Sequence, residues 1–139
     1  MTAADDAYRA AQKIIETVRT DQTTVLDFDV EECRALEHLP PEIGTLEQVR
    51  IIGLSNTQVA DIAPIQGLAQ VRILSLTNTQ VADITPLQGL AQLRFLYLTN
   101  TQVADIAPLQ GLAQLRVLYI ANTQVAAITP IQGLAEVRT

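Results

Sequence analysis

Between residues 46 and 133 the apolar positions follow two rhythms that take turns along the chain. Val71-Arg72-Ile73-Leu74-Ser75-Leu76 has the period-two spacing of a short strand, with Leu74 and Leu76 on one side. Asn78-Thr79-Gln80 is turn chemistry, and Val81 and Ile84 then bring apolar side chains back inward. Pro86 stops any continuing strand and suits the start of a short helical turn, where its missing N–H costs nothing. Thr85 and Thr129 are the expected N-caps of that turn, a role that Ala63 and Ala107 cannot fill at the same place. Gly89 closes the turn before the next leucine. One coil therefore holds one strand and one tight return segment.

The coil repeats. Gly67, Gly89, Gly111 and Gly133 are each 22 residues apart. From Leu68 the unit reads LAQVRILSLTNTQVADITPLQG, from Leu90 LAQLRFLYLTNTQVADIAPLQG, and from Leu112 LAQLRVLYIANTQVAAITPIQG; the unit from Leu46 drifts more. A fifth begins at Leu134 and stops after six residues. No single unit can bury its apolar side alone, so stacking must place each strand beside the next at roughly 4.8 Å in a parallel sheet. Equivalent residues then form inner rows: Ile52, Leu74, Leu96 and Leu118; Leu54, Leu76, Leu98 and Ile120; Val59, Val81, Val103 and Val125; Ile62, Ile84, Ile106 and Ile128. At about 25 cal/mol per Å² of buried apolar area, these rows supply the main driving force for folding.

The stretch VRILSLTNTQV fits the L-x-x-L-x-L-x-x-N-x-L segment of leucine-rich repeats, and ADITPLQGLAQ resembles the variable half of their 22-residue, internalin-like or SDS22-like bacterial class. The resemblance runs from about residue 24 to the end. It implies an α/β leucine-rich-repeat solenoid, right-handed, with the parallel β-sheet on its concave face. Where that family usually places a ladder asparagine, this chain has Thr57, Thr79, Thr101 and Thr123. Their hydroxyls are expected to form a weaker ladder with fewer bonds, leaving Asn56, Asn78, Asn100 and Asn122 at the turn surface.

Residues 3–20 read as a helix: Asp5 and Asp6 favour its start, and Ala7, Ala11, Ile14, Ile15 and Val18 form an apolar stripe. The organisation expected is an N-terminal capping helix over 1–22, an irregular first repeat over 23–45, and four regular repeats with a truncated fifth over 46–139. LPPEIG in the first repeat resembles a turn common in the family. At the other end, Leu134 and Val137 should open a new coil that stops before its strand can form. Leu118, Ile120 and Val125 would then lie uncovered, so either a longer natural protein or self-association through that end is expected.

Composition narrows the function classes. Hydrophobic residues make up 48% of the chain and aromatics only 4%, which means layers of similar aliphatic side chains. The net charge of -6 and pI near 4.6 argue against nucleic acid and anionic membrane surfaces as partners. A single cysteine excludes an internal disulfide framework, and no basic, apolar leader or spanning-length apolar run is present. A cytoplasmic location is the expectation. Cys33 and His38 are each alone of their kind, so core filling for the first and a surface position for the second outweigh a metal site or a thiol–imidazole nucleophile. No cofactor is implied.

The side chains that alternate with the core leucines should point outward on the concave face. They form the rows Ile51, Ile73, Phe95, Val117; Gly53, Ser75, Tyr97, Tyr119; and Ser55, Thr77, Thr99, Ala121. These positions vary while almost everything else in each unit is held constant. A partner-binding patch is expected at Phe95, Tyr97, Val117 and Tyr119 with Ile73, Ser75, Thr77 and Thr99, because aromatics offer large contact area at low entropy cost. The bland alternative is cross-strand stabilisation.

A second candidate is the row Arg50, Arg72, Arg94, Arg116 and Arg138 at the start of each strand, with Arg72, Arg94 and Arg116 as secondary binding residues. Asp61, Asp83 and Asp105 form a counter-row that should leave this flank solvated and partly paired. One carboxylate per coil, without a histidine partner, makes calcium binding and hydrolase chemistry poor readings. The reading is a non-catalytic protein–protein interaction module. The alternatives are a structural or regulatory repeat region of a larger signalling protein with an enzymatic domain, and peptide or glycan capture on the tyrosines.

Overall fold

The computed structural model describes residues 1–133 and 136–138. Helix α1, Ala3–Asp21, is followed by six three-residue strands: β1 Val25–Asp27, β2 Ile51–Gly53, β3 Ile73–Ser75, β4 Phe95–Tyr97, β5 Val117–Tyr119 and β6 Glu136–Arg138. They make one open, all-parallel sheet in sequence order. From β2 to β5 the register advances by the 22-residue period, Ile51 to Ile73 to Phe95 to Val117. Short 3-10 turns at Ala63–Ile65, Thr85–Leu87, Ala107–Leu109 and Thr129–Ile131 form the return side of the coils. The result is the expected right-handed solenoid.

The strands are shorter than the period-two pattern suggests, three residues each, and the turn that follows each of β2 to β5 contains an asparagine. Asn56, Asn78, Asn100 and Asn122 all take left-handed backbone conformations, with φ between 57 and 61°. Asparagine tolerates that region better than other residues with a Cβ. Coil-to-coil bonding continues past the strands all the same: the Leu76 amide donates to the Tyr97 carbonyl at 2.8 Å and the Asn78 amide to the Thr99 carbonyl at 3.0 Å.

The polar ladder is divided between two residue types. Thr57, Thr79 and Thr101 are buried, and each hydroxyl donates to the carbonyl three residues earlier in its own coil, at 2.7–2.8 Å. The links between coils are made instead by the asparagine side chains. Asn78 donates to Asn56 at 2.7 Å, Asn100 to Asn78 at 2.6 Å, and Asn56 to Asp29 of the first repeat at 3.1 Å. The expected threonine ladder is therefore corrected. A threonine hydroxyl is too short to span one strand spacing and still serve its own turn, whereas the longer amide offers a donor on one side and an acceptor on the other.

Helix α1 closes the N-terminal end. Thr2 and Asp5 form a reciprocal capping box, a signal the two acidic residues only half reveal. Ala7, Ala11, Ile15 and Val18 are buried against the first coil, while Ile14 stays partly exposed. Phe28 and Cys33 fill the core beneath, and burial pushes the Cys33 thiol pKa up.

The C-terminal end departs from expectation. β6 forms, and it pairs with β5 through Val117–Glu136, Leu118–Val137 and Tyr119–Arg138. The full period would have brought residue 139 opposite Val117, so the last coil is three residues shorter. The shortening begins where Gln132 leaves the helical region (ψ 123°) that Gln66, Gln88 and Gln110 keep, and Gly133 takes φ 84°. Leu118 is consequently fully buried, with Val137 packed against the core, and Ile120 and Val125 are half-buried rather than bare. Leu134, expected to open this coil, lies outside the described residues. Arg138 is not at the start of a strand as expected; it sits within β6 and pairs with Glu136 at 2.7 Å.

Candidate functional site

Each strand is only three residues long, so its middle residue points inward and its first and third point outward. Leu26, Ile52, Leu74, Leu96 and Leu118 are buried without exposed area, while their neighbours in the strands stay half-buried or exposed. The outer face thus carries two rows on the strands: Val25, Ile51, Ile73, Phe95, Val117, Glu136 and Asp27, Gly53, Ser75, Tyr97, Tyr119, Arg138. Ser55, Thr77, Thr99 and Ala121 follow just beyond them. Val25, Asp27, Glu136 and Arg138 belong to these rows through strand register, but their coils depart from the 22-residue pattern, so the repeat could not place them.

The aromatic patch resolves into two parts. Tyr97 and Tyr119 stack across neighbouring strands, with ring centroids 4.7 Å apart and planes 10° from parallel. Phe95 stands in the other row between Ile73 and Val117. Towards β1 the tyrosine row becomes flat and polar. A Cβ on Gly53 would stand 2.7 Å from Asp27 Oδ1, and that oxygen accepts the Asp29 amide at 2.8 Å. Glycine there leaves space for the aspartate, and aromatic area is confined to β4 and β5.

The two charged rows do not meet. Asp61, Asp83 and Asp105 lie half a coil away from the arginines, and each uses Oδ1 to accept the amide two residues later, at 2.8–2.9 Å. The acceptors are aimed at Ala63, Thr85 and Ala107, the first residues of the 3-10 turns. Thr85 is thus not an N-cap: it is inside the turn, Ile84 holds the cap position without a side-chain bond, and Asp83 does the capping. The same shift of one residue applies at Thr129, where Ile128 is the cap and Ala127 stands in place of the aspartate. Among the described residues the ion pairs are Arg19–Glu16, Arg34–Asp29 and Arg138–Glu136, so the partial pairing expected between the two rows is absent.

Hydrogen bonding to Thr85, first its hydroxyl and then its amide, lowers the Asp83 carboxyl pKa below its usual value. A depressed folded pKa stabilises the fold above the unfolded carboxylate value, and the contribution disappears as pH falls through the folded one. Thermal melts across the acidic range should therefore show a lower midpoint at low pH. Asp83→Asn, which keeps an uncharged acceptor oxygen, should flatten part of that slope.

His38 is exposed, and among the described residues no cluster of three or more metal-ligating side chains occurs. No helix among them is long and apolar enough to cross a membrane.

An open parallel sheet with one short strand per coil, apolar rows repeated inside and variable residues outside, defines a leucine-rich-repeat scaffold. The family model for leucine-rich repeats (two copies) matches residues 91–135. Among solved structures, internalin C2 of Listeria monocytogenes is similar at 25% identity and TM-score 0.61, over 74% of this chain and 59% of that one. A second internalin of the same organism aligns over 96% of this chain and 49% of its own, at 21% identity and TM-score 0.63. A leucine-rich-repeat protein of Leptospira interrogans aligns over 76% of this chain and 29% of its own, at 20% identity and TM-score 0.69. No curated protein matches. The chain has a leucine-rich-repeat fold similar to that of the internalins, and it spans between 29% and 59% of the length of these solved relatives.

Proposed function

We propose that this chain is a non-catalytic binding module that holds a protein partner on the concave face, at Tyr97 and Tyr119 with Phe95 and Val117 beside them. Leucine-rich-repeat solenoids commonly serve as protein-interaction scaffolds, and their curvature provides extended concave surfaces for the purpose. Ile73, Ser75, Thr77 and Thr99 extend the contact surface towards β3. The observation that carries the proposal is the stacked tyrosine pair. The two rings stack on neighbouring strands of the sheet, and both tyrosines are half-buried, which leaves part of each accessible. Rigid aromatic area of this kind loses little entropy on binding and is enriched at energetic hot spots.

Tyr97→Ala with Tyr119→Ala should reduce capture of a partner by the immobilised chain at least about thirtyfold, equivalent to roughly 2 kcal/mol. Far-UV circular dichroism should be unchanged, because neither ring fills the core. Undiminished capture by the double variant would refute the concave-face assignment.

A further inference from the structure

The arginines at the start of the strands form a second, independent feature of the same face. The Arg50 carbonyl accepts the amides of Arg72 and Ile73, at 2.7 and 3.2 Å, and the Arg72 carbonyl those of Arg94 and Phe95, at 2.8 and 3.1 Å. The backbone of the row is therefore locked at one strand spacing per step, about 4.8 Å. No carboxylate among the described residues pairs with Arg50, Arg72 or Arg94. The Nε atoms of Arg72 and Arg94 are shielded from solvent and have no acceptor. Beside them lies a depression of about 300 Å³, lined by the three arginines, Thr24, Ile51, Ile73 and Phe95. A positive row thus runs parallel to an apolar row, on a chain whose net charge is -6.

Building on the concave-face reading, we infer that this furrow docks an amphipathic α-helix of a partner protein, with acidic residues along one edge of its apolar stripe. The helix lies across the strands. Its carboxylates meet Arg50, Arg72 and Arg94, and its apolar side chains rest on Ile51, Ile73 and Phe95. Spacing selects a helix over an extended peptide. Acidic residues at i, i+4 and i+7 of a helix fall at about 0, 6 and 10.5 Å along its axis. Three arginines one strand apart stand at about 0, 4.8 and 9.6 Å. Carboxylates on one side of an extended chain recur every 6.7 Å or so, and run out of register by the third. Helix α1 cannot fill the furrow itself, since its apolar face is spent on the first coil. The acidic balance of the whole chain works against a nucleic acid or another long polyanion, whereas a short acidic stripe interacts mainly with the nearest charges.

The test is fluorescence anisotropy with the full chain and a labelled designed helical peptide, leucine along its stripe and glutamate at i, i+4 and i+7. Saturable binding is expected, weakened about tenfold or more by Arg72→Gln with Arg94→Gln and by raised salt. The matching lysine peptide should bind much more weakly. Circular dichroism checks that the Gln variants fold; Arg72→Lys with Arg94→Lys, which keeps the charge, should restore part of the affinity. Equal binding of the lysine peptide, or full affinity in a folded Gln variant, would overturn the inference. So would complete displacement by inorganic tripolyphosphate with a leucine-free peptide binding as well, since that describes an anion site without a helix groove. Partner capture separates the two proposals. Capture lost in the tyrosine variant but intact in the Gln variant overturns only the helix inference; capture intact in both overturns both.

Discussion

Leu96→Ala is expected to destabilise the chain by about 2–5 kcal/mol. Leu96 is the central residue of β4, fully buried, with Leu74 and Leu118 as its neighbours in the row. Truncation removes apolar contact on both sides at once, and the locked backbone of the flanking coils limits collapse into the cavity. In a solenoid each coil is held by its nearest neighbours, so a weakened middle also uncouples the two ends. Tyr97 and Tyr119 lie on the C-terminal side of the lesion, Tyr8 lies in α1, and the chain has no tryptophan to mask tyrosine emission. Urea titrations of Leu96→Ala followed by tyrosine fluorescence and by far-UV circular dichroism should therefore separate, with the fluorescence change, weighted to the C-terminal coils, coming first. A single coincident transition shifted by less than about 1 kcal/mol would contradict the stacked-row account of stability.

The second large effect is expected at a polar position. Thr79→Val preserves volume and β-branching but removes the hydroxyl that donates to the Leu76 carbonyl at 2.7 Å. The same oxygen is a long acceptor for the Val81 amide, at 3.5 Å. Both backbone groups are shielded from water inside the turn, so leaving them without a partner should cost about 1–3 kcal/mol. Thr79→Ser keeps the hydroxyl and loses only a methyl group, and should cost about 1 kcal/mol or less. Chemical denaturation of both variants checks the order. If valine is as stable as the parent, the hydroxyl is not the group that holds the turn.

Much of this could be read from the repeat. Gly67, Gly89, Gly111 and Gly133 mark the period, and Leu74, Leu96 and Leu118 with their strand neighbours mark which side is core. The concave rows follow by alternation, because a strand has only two faces. Helix α1 was equally legible, since Ala7, Ala11, Ile15 and Val18 recur at helical spacing. What the repeat concealed is the work done by its recurring polar residues. Thr, Asn and Asp are each compatible with ladder, turn or surface roles, and only coordinates show which backbone group lies within reach. Asp83 reads as a possible partner for an arginine, yet half a coil separates the two rows, and its nearest donor is the Thr85 amide.

The sequence alone determined the coil, because a period of 22 with one face apolar can bury that face only by stacking on copies of itself. It also placed Tyr97 and Tyr119 on neighbouring strands and the arginines in a row. Tertiary structure decided the rest, which depends on distances between coils. The tyrosines stack; asparagine rather than threonine links the turns; Arg50, Arg72, Arg94 and Arg116 pair with no carboxylate among the described residues; and the last coil shortens to seat Val137 over Leu118. Each of these is set by how closely one coil sits on the next, a quantity that periodicity along the chain does not contain.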